Sequence, residues 1–225
     1  MLLFIVDIDG TLVEIRKASG RAMRRAVEDC FHIPDPFLGI PLSGRTDRNI
    51  VEEVCRRHQL PEPAWPAFIE RLAGYLKEEL DRDPGRVLPG VEAFLAAAGQ
   101  HREVALALGT GNFRPCAYLK LAAHRLDAYF PVGGFGEDGP TRAAVLQVAY
   151  EKAKAHYGTN QVHPLVIGDT PLDIEAAHQA GFPCLSVATG NFSAEALSPY
   201  RPEALVEDLH QAWPAILELF PHQLG

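Results

Sequence analysis

Asp7 and Asp9 stand one residue apart in the stretch Asp7-Ile8-Asp9-Gly10-Thr11, directly after the apolar run Leu2 to Val6. Paired carboxylates suit nucleophilic and acid–base chemistry, since one can attack and hold a covalent intermediate while the other moves a proton. A short apolar run reads as a strand buried on both faces, so the pair sits at the carboxyl end of a strand. In open α/β sheets that edge binds ligands. Asp and Gly are also common turn residues, and capping of a loop would explain them equally well.

Three further stretches carry chemistry at comparable places. The run at 104–109 leads into Thr110, Gly111 and Asn112, where a hydroxyl and backbone N–H groups at a helix start make an anion site. Simple capping by Thr110 is the competing explanation. The run at 164–168 ends in Gly168-Asp169-Thr170-Pro171-Leu172-Asp173, which places Asp169 where Asp7 stands on the first strand. Thr170 fits a helix N-cap, Pro171 the first helical residue and Asp173 a capping-box position, so Asp169 is the residue that capping does not explain. Arg142 falls in the first turn after Pro140, where a cation opposes the helix dipole. A nearby cluster of anions would account for it.

These residues need a scaffold, and the apolar patterning supplies one. From about residue 90, helical patterns alternate with short apolar runs at 104–109, 129–133, 164–168 and 183–188, and the run at 2–6 belongs with them. Such alternation implies an α/β fold, a Rossmann-like parallel sheet with helices on both faces. Residues 18–82 have a different texture, with three helical stripes and no convincing strand. The stripes run through Ala22, Met23, Ala26 and Val27, then Ile50, Val51 and Val54, then Phe68, Leu72, Leu76 and Leu80. The helical block is therefore expected to be inserted after the first strand, with hinges near Glu14–Ala18 and Arg82–Pro89.

Taken in order, Asp7-Ile8-Asp9-Gly10-Thr11, Thr110, Arg142 and Gly168-Asp169 with Asp173 resemble the four motifs of the haloacid dehalogenase superfamily. The helical insert is similar to the α-helical cap of its phosphoglycolate-phosphatase-like branch, and Ser43-Gly44-Arg45-Thr46-Asp47 to a cap-loop sequence common there. The resemblance implies a core domain over 1–15 and 88–225 and a cap domain over 16–87. It implies a phosphatase acting on a small phosphorylated metabolite through an aspartyl-phosphate on Asp7, with Asp9 as general acid/base. It implies Mg²⁺ held by Asp7, the backbone carbonyl of Asp9, and Asp169, with Asp173 orienting or binding through water. Thr110, Gly111 and Asn112 would bind the phosphoryl oxygens together with Arg142. Arg45 would meet the far, anionic end of the substrate. The third motif usually offers lysine, and Lys152 and Lys154 are the alternatives to Arg142, although both lie well into the helix. A sugar phosphomutase of the same superfamily is the nearest rival. A haloacid dehalogenase is disfavoured because that chemistry needs no metal cluster, and a non-catalytic module because the carboxylate set is intact.

Composition narrows the field. The chain has 225 residues, a formal net charge of −8 and 47% apolar residues, enough for a sizeable core. The acidic balance argues against a nucleic-acid partner. No stretch approaches the ~18 apolar residues of a membrane span. The opening Met1 to Val6 lacks the basic region of a signal peptide. Cys30, Cys55, Cys116 and Cys184 form no C-x-x-C pair and read as reduced thiols, so a cytoplasmic protein is expected; the working form is expected to be a monomer or homodimer. The nine histidines show no metal-ligand spacing. Gly133, Gly134, Phe135 and Gly136 read as a loop near the site, and Ala212, Trp213, Ile216 and Leu217 as core packing.

Overall fold

Strand β1 (Leu2–Val6) is buried along its whole length, which is why its sequence runs apolar without alternation. A computed structural model describes residues 1–42 and 44–223 of the chain; Ser43 of the expected cap loop and the last two residues lie outside the described residues. The strand is central in a parallel sheet of order β5-β4-β1-β6-β7-β8. Its neighbours are β4 (Val104–Gly109) and β6 (His163–Gly168), in register Val6↔Leu108 and Val6↔Ile167. The chain moves outward from β1 through β4 to β5 (Gly133–Gly134), then returns to β6 on the other side. The switch between β1 and β6 opens the crevice in which α/β sheets bind ligands.

The period of two along β1 sorts its side chains between two cores. Leu2, Phe4 and Val6 join the larger cluster, with Phe94 of α4 (Val91–Gln100) and Ile216 of α9 (Ala212–Leu219). Leu3 and Ile5 face the other layer, with Leu146 and Ala149 of α6 (Arg142–Tyr157) and Ile174 of α7 (Pro171–Ala180). In α9, Ala212 and Ile216 are buried and Trp213 packs on Phe4, but Leu217 is half exposed and lies on the outer face. Four cysteines are free thiols, three of them buried. No described helix is long and apolar enough to cross a membrane.

Two sequence expectations are corrected at the sheet edges. The run at 129–133 is not a strand throughout: a 3-10 turn covers Asp127–Tyr129 and pairing begins only at Gly133. Pro131 has no N–H to donate to a ladder, so the strand starts beyond it. Gly133 and Gly134 are therefore strand rather than loop. Strand β8 (Ala204–Val206) was not expected; three residues at an edge, two of them only partly buried, leave too weak a pattern.

The helical block consists of α1 (Arg16–Phe31), α2 (Asp47–His58) and α3 (Trp65–Arg82). Its entry and exit are tied together, because β2 (Val13–Glu14) pairs antiparallel with β3 (Arg86–Val87). A Glu14–Arg86 ion pair at 2.6 Å closes that ribbon. On the other side, Trp65 and Phe68 of α3 pack on Phe113, which precedes α5 (Arg114–Ala122). Asp47 adds polar contacts: its N–H donates to the Gly111 carbonyl at 2.8 Å, and its carboxylate accepts from the Phe113 N–H at 3.1 Å. The block thus covers the carboxyl edge of the sheet.

Candidate active site

Asp7 and Asp169 extend from the tips of the adjacent strands β1 and β6, and both are buried. Asp173, on the first turn of α7, completes a cluster in which carboxylate oxygens of Asp7, Asp169 and Asp173 lie within 4.8 Å of one another. Gly10 turns the chain away with φ of 89°, a conformation that favours glycine. Thr11 donates from its hydroxyl to Asp169 at 3.4 Å, tying the first motif to the last.

Arg142 is the cation of this cluster. Its guanidinium pairs with Asp173 and lies 3.5 Å from Asp7. Burial alone would discourage its charge, but Asp173 and Asp7 more than offset this and hold it firmly protonated. The anions that the sequence position called for are therefore present. Lys152 and Lys154 point elsewhere, to Asp138 and Glu151. Burial pushes the Asp7 carboxyl up to about 6, against the pull of Arg142 and with help from Asp173 and Asp9. Three carboxylates around one cation leave negative charge in excess, and all-oxygen donors match a hard ion such as Mg²⁺. The residues fit a divalent metal.

Asp173 has both oxygens engaged. Oδ2 accepts from the Thr170 N–H at 3.0 Å and hydroxyl at 2.7 Å, and Oδ1 faces Arg142. The expected capping box over Thr170 and Asp173 is formed, with Pro171 in the first turn. Asp173 therefore sets the guanidinium while starting the helix.

Thr110 does not cap α5. That helix begins four residues later, and its preceding N–H at Phe113 is taken by Asp47. The Thr110 hydroxyl instead accepts from the Asn112 amide at 2.8 Å. Asn112 donates from the same nitrogen to Asp9 Oδ2 at 2.8 Å. Phe135 is buried and the Gly136 N–H donates to the Asn112 carbonyl at 2.8 Å, so the loop after β5 braces this turn, as expected of a segment near the site.

Lys120 of α5 was not foreseen. It is buried, and its ammonium donates to Asp9 Oδ2 at 2.5 Å and to Asn112 Oδ1 at 2.6 Å. Burial disfavours its charge, yet Asp9 and Asp47 hold its pKa above the ordinary amine value. The signal was present in the sequence: Cys116, Ala117, Lys120 and Leu121 share one helical face, and a lysine on an apolar face calls for an anion. Asp9 is thus drawn away from the Asp7–Asp169–Asp173 cluster, and its Oδ1 is buried with no hydrogen-bond partner among the described residues.

A second unforeseen element is the turn after β7 (Cys184–Val187). The tetrapeptide Thr-Gly-Asn-Phe occurs at 110–113 and again at 189–192, on the two sides of the β1–β6 pair. The Thr189 hydroxyl donates to the Gly10 carbonyl at 2.7 Å. Gly190 lies so close to Asp169 that a Cβ there would fall 1.6 Å from Oδ2.

A cavity of about 340 Å³ lies between this edge and the helical block. Asp7, Asp9, Thr110, Gly111, Asn112, Arg142 and Asp169 all border it. Arg45 borders it too, with one guanidinium nitrogen donating to the Asn49 carbonyl at 3.3 Å. Thr46 is the N-cap of α2, accepting from the Asn49 N–H at 3.1 Å.

The carboxylate cluster, with a buried guanidinium beside it, lies at the switch point of the parallel sheet, where α/β enzymes bind their ligands. The model for haloacid dehalogenase-like hydrolases matches residues 4–178, and a related HAD-hydrolase-like model matches 146–212; the chain belongs to the haloacid dehalogenase-like hydrolases. It is 28% identical over 221 residues to a protein of Cupriavidus necator named phosphoglycolate phosphatase, covering 95% of this chain and 91% of that one. A protein of Dickeya dadantii named "Probable phosphatase IndB" is 26% identical over 214 residues, covering 91% and 89%. Among solved structures, a β-phosphoglucomutase from Clostridium difficile superposes with a TM-score of 0.74 at 16% identity, covering 98% of both chains, a likeness of fold.

Proposed function

We propose that this hydrolase is a Mg²⁺-dependent phosphatase of small phosphate monoesters that works through an aspartyl-phosphate on Asp7. The observation that carries the reading is the Asp7–Asp169–Asp173 cluster with Arg142 against it. The names of the curated relatives point the same way.

In this reading Asp7 attacks phosphorus and Asp9 protonates the leaving oxygen, then takes the proton from the attacking water. Lys120 and Asn112 hold Asp9 by Oδ2, which leaves Oδ1 to exchange the proton. Arg142 and the Thr110 turn bind the phosphoryl oxygens, supplying the positioning and charge stabilisation that phosphoryl transfer demands. Mg²⁺ held by Asp7, the Asp9 carbonyl and Asp169 would neutralise charge between the nucleophile and the phosphoryl group, with Asp173 orienting the set. Residues 16–87 act as a cap on a core of 1–15 and 88–225, and Arg45 meets the distal end of the substrate. The setting is the cytoplasm, with a small phosphorylated metabolite as the ligand and a monomer or homodimer as the working form.

The test is phosphate release from a panel of monoesters with Mg²⁺ and after chelation. Turnover that requires Mg²⁺ is expected. Full turnover in chelator, or none on any monoester while Mg²⁺ is present, would overturn the reading.

A further inference from the structure

Resting on the phosphatase reading, we infer that the alcohol released is mainly apolar, a compact branched-alkyl or aromatic alcohol rather than a sugar or glycerol. The space beyond the carboxylates is walled by Ala22 and Met23 of α1, Ile50 of α2, and Leu72 and Leu76 of α3, with Cys116 of α5 opposite. None of these offers a good hydrogen bond. All six are buried.

The polar groups bordering the same cavity are largely engaged already. The Thr170 hydroxyl is given to Asp173, the Asn112 amide to Asp9 and Thr110, and Lys120 has two of its three donors occupied. On the helical walls, the Ser19 hydroxyl is buried and has no hydrogen-bond partner among the described residues. Among the described residues, the helical block brings Ser19, Arg45 and the Asp47 carboxylate to the cavity as its hydrogen-bonding side chains, against the four or more hydroxyls of a hexose. Each hydroxyl buried without a partner costs roughly tenfold in affinity. A volume of about 340 Å³ is at the lower end of the ~300–1,000 Å³ typical of ligand sites, which limits the alcohol to a compact group. Arg45 leaves room for one distal acceptor on the same skeleton.

The experiment compares 3-methylbutyl phosphate and benzyl phosphate with glycerol 3-phosphate and glucose 6-phosphate. All are esters of primary alcohols, so differences report binding of the alcohol more than its leaving ability. kcat/KM at least about tenfold higher for the two apolar esters is expected, on the scale of a methylene or two in an apolar pocket. Equal values, or a preference for either of the two hydroxyl-bearing esters, overturn the inference. Met23→Gln should shrink the preference severalfold by adding a polar group to the wall; an unchanged ratio in folded protein also counts against it. Calorimetric binding of benzylphosphonate against methylphosphonate, with Mg²⁺ present, needs no turnover. Preferential binding of benzylphosphonate with no hydrolysis of any ester would sustain the apolar pocket while removing the phosphatase reading. Hydrolysis without that preference would do the reverse.

Discussion

Replacing Gly190 with alanine adds one methyl group at a place where the structure leaves no space. The new Cβ would fall 1.6 Å from Asp169 Oδ2 and 2.5 Å from its Cγ. Ordinary contact needs about 3.4 Å, so the carboxylate or the turn must give way by roughly 2 Å. Gly190 does not occupy the left-handed region, so alanine is not strained by backbone conformation and the effect isolates the contact. Asp169 is buried, on a short side chain at a strand tip. Mg²⁺ tolerates only a few tenths of an ångström in its oxygen distances, near 2.0–2.1 Å. Displacing a ligand or its support costs roughly 10–100-fold in metal affinity. We expect Gly190→Ala to raise the Mg²⁺ concentration for half-maximal activity by that factor, with circular dichroism unchanged. The Mg²⁺-dependent rise in Tm should shrink in parallel. A Mg²⁺ requirement within twofold of wild type would refute the view that the turn after β7 sets Asp169.

Other expectations follow from the same geometry. Arg142→Ala should reduce kcat/KM by about 10²-fold or more, and Arg142→Lys should keep part of the activity, because lysine supplies charge without the planar fork; a dead Lys152→Ala beside a normal Arg142→Ala would relocate the third motif. Burial raises the Asp47 carboxyl to about 6 despite the opposing pull of Lys120. A carboxyl whose folded pKa lies above its unfolded value favours the folded state most at low pH, and that advantage is lost as pH rises from about 4 through 6. The loss is at most about 3 kcal/mol. Asp47→Asn keeps an acceptor for the Phe113 N–H, so it should flatten this pH dependence and raise Tm at pH 7; a parallel Tm–pH curve for the variant would contradict it. Arg45→Ala should lower kcat/KM for a substrate with a distal anionic group and spare a small aryl phosphate; equal losses for both would remove Arg45 from the substrate's far end.

Much of this site could be read from order and spacing. Asp7, Thr110 and Asp169 each end a buried apolar run, and a parallel sheet brings such ends to one edge whatever their separation in sequence. Arg142 was legible as an anomaly, a cation at the wrong end of a helix, which the carboxylates resolve. The change of texture at either end of the helical block was legible from composition, but not that its entry and exit pair as β2 and β3, because two-residue strands leave no pattern. Lys120 lies eight residues beyond Asn112 on a helix whose burial depends on what covers it, so only the folded arrangement reveals its partner. Gly190 is set by a distance across two strands, which no local pattern encodes. The apolar walls of the cavity come from three helices whose stripes read equally well as ordinary core.

The central claim is that Asp7 carries the phosphoryl group in turn. Acid quench during turnover of a ³²P-labelled monoester with Mg²⁺, followed by peptide mapping by mass spectrometry, tests it most directly. The account predicts label on the peptide spanning Leu2 to Thr11, placed at Asp7 and absent from Asp7→Asn, whose turnover falls by orders of magnitude. Label at another residue, or undiminished turnover by Asp7→Asn, would contradict it.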